Sequence, residues 1–333
     1  MTKFGVQKVM MFCMTITICG ILLLGYSPLY QLATLGALLI GIGSVVGMLG
    51  TSNIINQRFY SKAYSFMIGL TLALGLVIAS YSGEVIELCL QKFNWQSFYL
   101  VVAIVVIVQM IIVSIFIDKK SYSPIRATPE LLRLLMRTVK TPRLILMALF
   151  GGAMTAPMHG FADVWGIDYL VLHFNLSKTD AVIANSLVFF GMAIGAPTIG
   201  YIAQKYQIYR KLITICGVIM TVSFAFLVVA NNASFIVICG LLLIIGIGSS
   251  YSPLVFTIII HSVDKKLGDI AVGLTNMSFM IFGFVYHPLI GFIIDKISLT
   301  DDLKTAYLYG ILVIPLGLLA GTIGLGVVTN KTQ

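Results

Sequence analysis

The sequence predicts an all-α membrane protein: a bundle of ten transmembrane helices in two parallel pseudo-repeats, four helices and then six. Three observations carry this reading. The 333 residues are 59% hydrophobic and only 10% charged, with a mean hydropathy of +1.02, whereas soluble domains carry about 25% charged residues. Long apolar runs, rather than one large core, must hold so much hydrophobicity. Finally, short sequence elements from the first third recur, in order, in the last third.

The apolar runs of spanning length (about 20 residues) lie near 9–27 (A), 32–53 (B), 63–83 (C), 96–117 (D), 144–172 (E), 180–203 (F), 212–230 (G), 235–262 (H), 270–294 (I) and 305–328 (J). Segment A has a basic start like a signal peptide, but its run is long and no small-residue cleavage site follows before Tyr26-Ser27-Pro28. It is expected to be a retained helix. Segment E is long and is expected to break near Pro157 or Gly160.

Loop charge sets the orientation. With the N-terminus inside, ten spans put every Lys and Arg on the inner side except Lys92, Lys178, Lys296 and Lys304. Glu84, Glu87, Asp163, Asp168, Asp180, Asp295, Asp301 and Asp302 fall at or near the outer face. That asymmetry is the positive-inside pattern, with both termini cytoplasmic. It also accounts for the net charge of +9, which in a soluble protein would suggest nucleic acid. The five cysteines (Cys13, Cys19, Cys89, Cys216 and Cys239) are scattered and read as small apolar helix residues. No metal site, cofactor or disulfide framework is indicated.

Residues 118–143 form the longest polar stretch. Thr128-Pro129-Glu130 is a helix start, with Thr as cap and Pro in the first turn. Leu131, Leu134, Leu135 and Val139 then share one face, with Arg133, Arg137 and Lys140 elsewhere. A basic amphipathic helix on the inner membrane surface is expected, with a plain solvated linker as the alternative.

The recurring elements fix the domain plan. Lys3-Phe4-Gly5-Val6-Gln7-Lys8-Val9 resembles Lys205-Tyr206-Gln207-Ile208-Tyr209-Arg210-Lys211. Leu38-Leu39-Ile40-Gly41-Ile42-Gly43-Ser44 resembles Leu243-Ile244-Ile245-Gly246-Ile247-Gly248-Ser249, and Ile68-Gly69-Leu70-Thr71 resembles Val272-Gly273-Leu274-Thr275. The spacing is nearly constant, so A to D correspond to G to J, and E and F have no partner. Matching segments run in the same direction, which makes the repeats parallel. The expected domains are 1–117, an incomplete N-terminal half; 118–143, the linker; and 144–333, a six-helix half. The first copy thus lacks an opening pair of helices, and residues 1–333 alone are expected not to catalyse transport.

Parallel six-helix halves are an arrangement of the major facilitator superfamily, and the chain resembles that family over nearly its whole length. The family's loop between the second and third helices of each half reads Gly-x-x-x-Asp-(Arg/Lys)-x-Gly-(Arg/Lys)-(Arg/Lys). Gly200-Tyr201-Ile202-Ala203-Gln204-Lys205 begins the C-terminal copy, with Gln204 at the Asp position, and Arg210 and Lys211 supply the following basic residues. The N-terminal copy is cut, leaving Lys3, Gly5 and Lys8, with Thr2 at the Asp position. Asn94-Trp95-Gln96-Ser97-Phe98 resembles the family's Gly-Trp-Arg-x-x-Phe before helix six. The resemblance implies that segment A is family helix three, and that a missing helix and segments B, E and H line a central cavity.

A transporter of this type needs polar groups on that cavity. Segment E carries His159, Asp163, Trp165, Asp168 and Tyr169. His159 and Asp163 are four apart and share a helix face; inside a span they must pair or face water. Two readings stand. The pair binds solute or a coupling proton, or Asp163 and Asp168 lie at the outer headgroups with Trp165 and Tyr169 as interface aromatics. Segment H holds Ser249, Ser250, Tyr251, Ser252 and Pro253, a polar, Pro-broken stretch that either opens carbonyls to the cavity or back-bonds within the helix. Segment I offers Asn276, Tyr286 and His287, and segment F offers Asn185. Gln109 is expected to bond a neighbouring helix, and His261 to lie at the surface. Gly43-x-x-x-Gly47 in segment B reads as a close-packing signature rather than a phosphate loop.

No Lys or Arg lies deep in any span, whereas family members carrying strongly anionic solutes usually place Arg in the cavity. Segment C lacks the Gly-Pro pair of many drug antiporters. A membrane enzyme would need paired carboxylates or a metal cluster at the inner face, and Asp264 with Asp269 beside Lys265 and Lys266 is a poor match. The expectation is a secondary active transporter in a bacterial-type inner membrane. It takes up a small organic solute by alternating access, with protons as the coupling ion and lipid as its surroundings. A drug or metabolite efflux antiporter and a truncated, non-transporting fragment are the alternatives.

Overall fold

Every long apolar segment becomes a helix, because lipid offers the backbone no partner and an α-helix satisfies its own groups. The computed structural model describes residues 5–58, 63–117, 133, 136, 140–230, 232–263 and 267–330, and these contain no strand. Lys3 and the trio Asp264, Lys265 and Lys266 lie outside the described residues. So does most of the expected linker helix, of which Arg133 and Met136 are described as helical and Lys140 as a turn.

Segments A to D are α1 (Val6–Tyr26), α2 (Tyr30–Arg58), α3 (Tyr64–Lys92) and α4 (Trp95–Phe116). Segment E is broken into α5 (Pro142–Ala153), a π-helical stretch Ala156–Trp165, and α6 (Gly166–Phe174). Segments F and G are α7 (Lys178–Tyr206) and α8 (Tyr209–Val229). Segment H is α9 (Phe235–Gly248), a 3₁₀ turn Ser249–Tyr251, and α10 (Ser252–Ser262). Segment I is α11 (Gly268–Ile297), unbroken despite Pro288. Segment J splits into α12 (Leu303–Ile311) and α13 (Val313–Asn330), just before Pro315. Nine described helical stretches are long and apolar enough to cross a membrane, and α3 adds a shorter apolar stretch, Tyr64–Ile78.

The chain forms two compact units. One holds Met1–Arg58 and Tyr81–Leu135; the other holds Phe59–Ser80 and Met136–Gln333. In the first, α1 packs against α2 and α4; in the second, α8 packs against α9 and α13. Segment A thus has the same neighbours among its own helices as segment G has among its own.

Glycine sets the closest contacts. Because lipid tails are as apolar as leucine, helices associate through close packing rather than hydrophobic exclusion. A Cβ on Gly20 would stand 2.6 Å from the Gly36 carbonyl oxygen, and one on Gly36 would stand 2.8 Å from that of Gly20. In the six-helix unit Gly191 and Gly246 play the same part between α7 and α9, each against a carbonyl of the other helix. Gly43 packs against Thr17 and Cys13, but Gly47 faces open space. The expected Gly43–Gly47 packing signature is therefore Gly43 alone, since Gly47 falls one turn on, where no neighbouring atom approaches. Outside these seams large apolar side chains point outward, among them Phe12, Ile115, Val229 and Phe284, as lipid contact requires.

Candidate functional site

The break in segment E builds the site. Pro157 has no N–H, so the Ala153 carbonyl loses its donor four residues on. Thr155 N–H bonds Gly152 O at 3.0 Å, which strands the carbonyl of Gly151 as well. Both acceptors are buried, and an unmet buried acceptor costs about 1–3 kcal/mol. Side chains from other spans supply the donors. Tyr251 Oη donates to Gly151 O at 2.6 Å, and Tyr286 Oη donates to Ala153 O at 2.8 Å. Further along, Ser278 Oγ donates to Ala148 O at 3.0 Å and Asn185 Nδ2 donates to Ala162 O at 2.9 Å. Spans F, H and I are thereby fastened to E through its backbone.

The π-helical stretch carries the chemistry. π-Helices are rare, mostly single-turn, and frequent at functional sites; this one runs ten residues, Ala156–Trp165. It lies near the middle of the 33-residue span Pro142–Phe174. His159 Nδ1 and Asp163 Oδ2 are 2.8 Å apart, and their side chains are 29% and 33% exposed. The pair is therefore neither sealed in the core nor free in solvent. The Nε2 of His287, on α11, contacts the His159 carbonyl. Trp165 Nε1 donates to the His287 carbonyl at 3.3 Å, and its ring meets Tyr307 edge-on. The backbone of α11 approaches closely because Gly283 and Gly291 sit opposite His159 and Trp165: a Cβ at either would be 3.0 Å from those side chains. Chemically this is a carboxylate within hydrogen-bond distance of an imidazole, with a second imidazole and an indole alongside.

The other sequence-predicted residues take different places. Tyr251, Tyr286 and Asn185 are buried, and each spends a donor on segment E. Ser250 is fully buried and donates to Met192 O at 3.4 Å. Asn276 is half-buried on α11, and Gln109 is exposed. Tyr169 is buried and stacks on His173, with ring centroids 4.9 Å apart.

The loop motif is held by helix ends. Gly200 packs on the Ser65 backbone of α3. Lys205, Arg210, Lys211 and His261 line one cleft, and Lys8 is exposed on α1. Sequence reasoning missed Ser278 and the convergence of Arg143 and Gln204 on that cleft. The proline rule points to the open carbonyl of Ala153; nothing in the sequence says which hydroxyl reaches it.

A family model for the Major Facilitator Superfamily matches residues 1–287. The chain belongs to the major facilitator superfamily. Solved structures of that fold agree. A variant of the E. coli fucose:proton symporter FucP superposes with a TM-score of 0.74 at 14% identity, covering 97% of this chain and 85% of that one. FucP in its outward conformation gives 0.74 and 14%, with 97% and 84% covered. A bacterial homologue of the iron transporter ferroportin, outward-facing, gives 0.77 at 12% identity, with 99% and 85% covered. A comparison with curated proteins finds no match. This major facilitator chain is a multi-pass membrane protein, and its family and fold point to transport rather than enzymatic chemistry.

Proposed function

We propose that the chain is a secondary active transporter that takes up a small organic solute by alternating access, coupled to protons through His159 and Asp163. The observation that carries this is the His159–Asp163 pair, in mid-span on a π-helical stretch and partly exposed. Ionisable residues at such depth mark ion and substrate pathways. His287 and Trp165 complete the contact surface, with Asn276 and Ser250 as further polar groups on α11 and the turn of segment H. The fucose:proton symporter among the neighbours lends support by its stated coupling. The functional halves are residues 1–117 and 144–333, joined by 118–143, with both termini on the cytoplasmic side of a bacterial-type inner membrane.

The test is solute flux in proteoliposomes under an imposed pH gradient, and flux by the 333-residue chain also overturns the expectation that residues 1–333 alone do not transport. Solute entry is expected to carry protons inward and acidify the lumen. In Asp163→Asn, solute binding persists while the pH gradient no longer drives accumulation. Undiminished proton-driven accumulation by folded Asp163→Asn protein removes the pair from the mechanism.

A further inference from the structure

The two repeats differ on one helix face. In the six-helix unit α7 lies along α9 through paired glycines. A Cβ built on Gly246 would run into the Val188 carbonyl of α7, and one on Gly191 would stand 3.1 Å from the Cα of Gly246. Gly195 approaches the Ile247 backbone in the same way, its Cβ 3.0 Å from the Ile247 Cα, and it also meets Ser250. The face of segment H that α7 covers is therefore Leu243, Gly246, Ile247 and Ser250, whose spacing of i, i+3, i+4 and i+7 is one side of a helix. Gly246 and Ser250 are buried there.

The sequence repeat pairs that face with Leu38, Gly41, Ile42 and Val45 of α2. Here the helix is bare. Leu38, Ile42 and Val45 are 58%, 49% and 57% exposed, and a Cβ built on Gly41 meets nothing within 4 Å. The adjoining seam is filled in both repeats. Gly43 packs on the Cys13 backbone of α1, and its counterpart Gly248 packs on the Cys216 backbone of α8. The two units agree on this first neighbour of segments B and H. They differ on the second, which segment F supplies to H.

Exposed apolar side chains alone carry no such meaning, since lipid accepts them. Glycine does carry it. Helices in lipid associate where small residues let backbones approach, and a glycine facing acyl chains gives up helix propensity with no contact in return. The filled copy states the occupant's chemistry. It is an apolar spanning helix that runs parallel to α2, as every second span does, with glycines four apart like Gly191 and Gly195. A second α2 is a poorer match, because Val45 stands four residues after Gly41, where α7 has glycine.

We propose that the Leu38–Gly41–Ile42–Val45 face of α2 is a docking seam for a transmembrane helix of another polypeptide, apolar and carrying a Gly-x-x-x-Gly pair. The seam and the His159–Asp163 pair belong to different units, so association is readable without transport.

The test uses the full chain in phosphatidylcholine vesicles, with a donor fluorophore at its C-terminus. The probe is an acceptor-labelled peptide with the α7 sequence, Lys178–Tyr206. Energy transfer is expected to rise to saturation as peptide is added. Gly41→Ile is expected to weaken association by about tenfold without lowering the thermal midpoint of the peptide-free chain, since the new side chain enters open space. Gly240→Ile, at another glycine whose Cβ would meet nothing within 4 Å, is expected to bind the peptide like wild type. A peptide with Gly191→Ile and Gly195→Ile is expected not to associate. The seam is overturned if the wild-type chain gives no more transfer than with a scrambled peptide, or if Gly41→Ile binds as tightly as wild type. Gly41-dependent transfer between two labelled copies of the chain, stronger than transfer to the peptide, overturns it too, because a second copy then fills the face.

Discussion

At the scale of residues, two loop positions separated by most of the chain both have positive φ, Gly5 with an extended ψ of 150 and Gln207 in the left-handed helical region. Gly5 has φ +85 and Gln207 has φ 56. Both fall where the family loop motif carries its second glycine. The reason is steric: L-residues rarely adopt positive φ, and glycine does so freely. Gly5 meets nothing within 4 Å of a Cβ built on it, so Gly5→Ala isolates the backbone term. It is expected to lose about 1–3 kcal/mol, read as a lower thermal midpoint in micelles. Gln207→Gly is expected to gain less, because it also gives up the bond from Gln207 Nε2 to Gln204 O. The basic residues of this loop were legible in the sequence through their resemblance to Lys3 and Lys8. The cleft that gathers them with Arg143 was not, since it needs α5, α7, α8 and α10 in place.

At the scale of elements, the interruption of segment E explains more of the bundle than its length does. Pro157 and Gly160 announced a break. Its form, a π-helical stretch, depends on donors from α11 and the turn of segment H. Tyr251 and Tyr286 read in the sequence as cavity-lining polar groups; in the fold their hydroxyls close the carbonyls that the break opens. Tyr286→Phe is accordingly expected to cost about 1–3 kcal/mol of stability. Pro157→Ala restores a backbone donor near Ala153. The double variant is therefore expected to lose less than the sum of the single losses, by at least about 0.5 kcal/mol. Strict additivity in that cycle would show that the tyrosine and the proline act independently. His159 and Asp163 were visible from their spacing alone, because i and i+4 share a face in any helix-like geometry. The seat of His287 on the His159 carbonyl was not visible, because it joins spans E and I through a contact no periodicity encodes.

At the scale of the whole molecule, composition and loop charge were enough to give the class and nearly every span. Hydrophobic length is a one-dimensional property that lipid reads directly. The repeat matched A to D with G to J, but that A packs on B and D, as G packs on H and J, comes from the fold. Where spans touch was less legible. Glycine abounds in these helices, and only some glycines meet a neighbour, as Gly43 does and Gly47 does not. Orientation is testable in cells. In a cysteine-free background that retains function, a membrane-impermeant maleimide added outside is expected to label Lys178→Cys and leave Lys205→Cys unlabelled until the membrane is permeabilised. The reverse pattern would invert the proposed topology.

The carbonyls of segment E also carry a consequence for biosynthesis. Their donors are encoded far downstream: Tyr251 lies 100 residues beyond Gly151, and Tyr286 lies 133 beyond Ala153. At the pace of a ribosome that interval is roughly 5–30 s. Throughout it the nascent span holds open polar groups that bare lipid does not satisfy. Release of segment E from the insertion machinery is therefore expected to wait on segments H and I: ribosome-bound chains stopped before Tyr251 should crosslink to that machinery while longer ones do not.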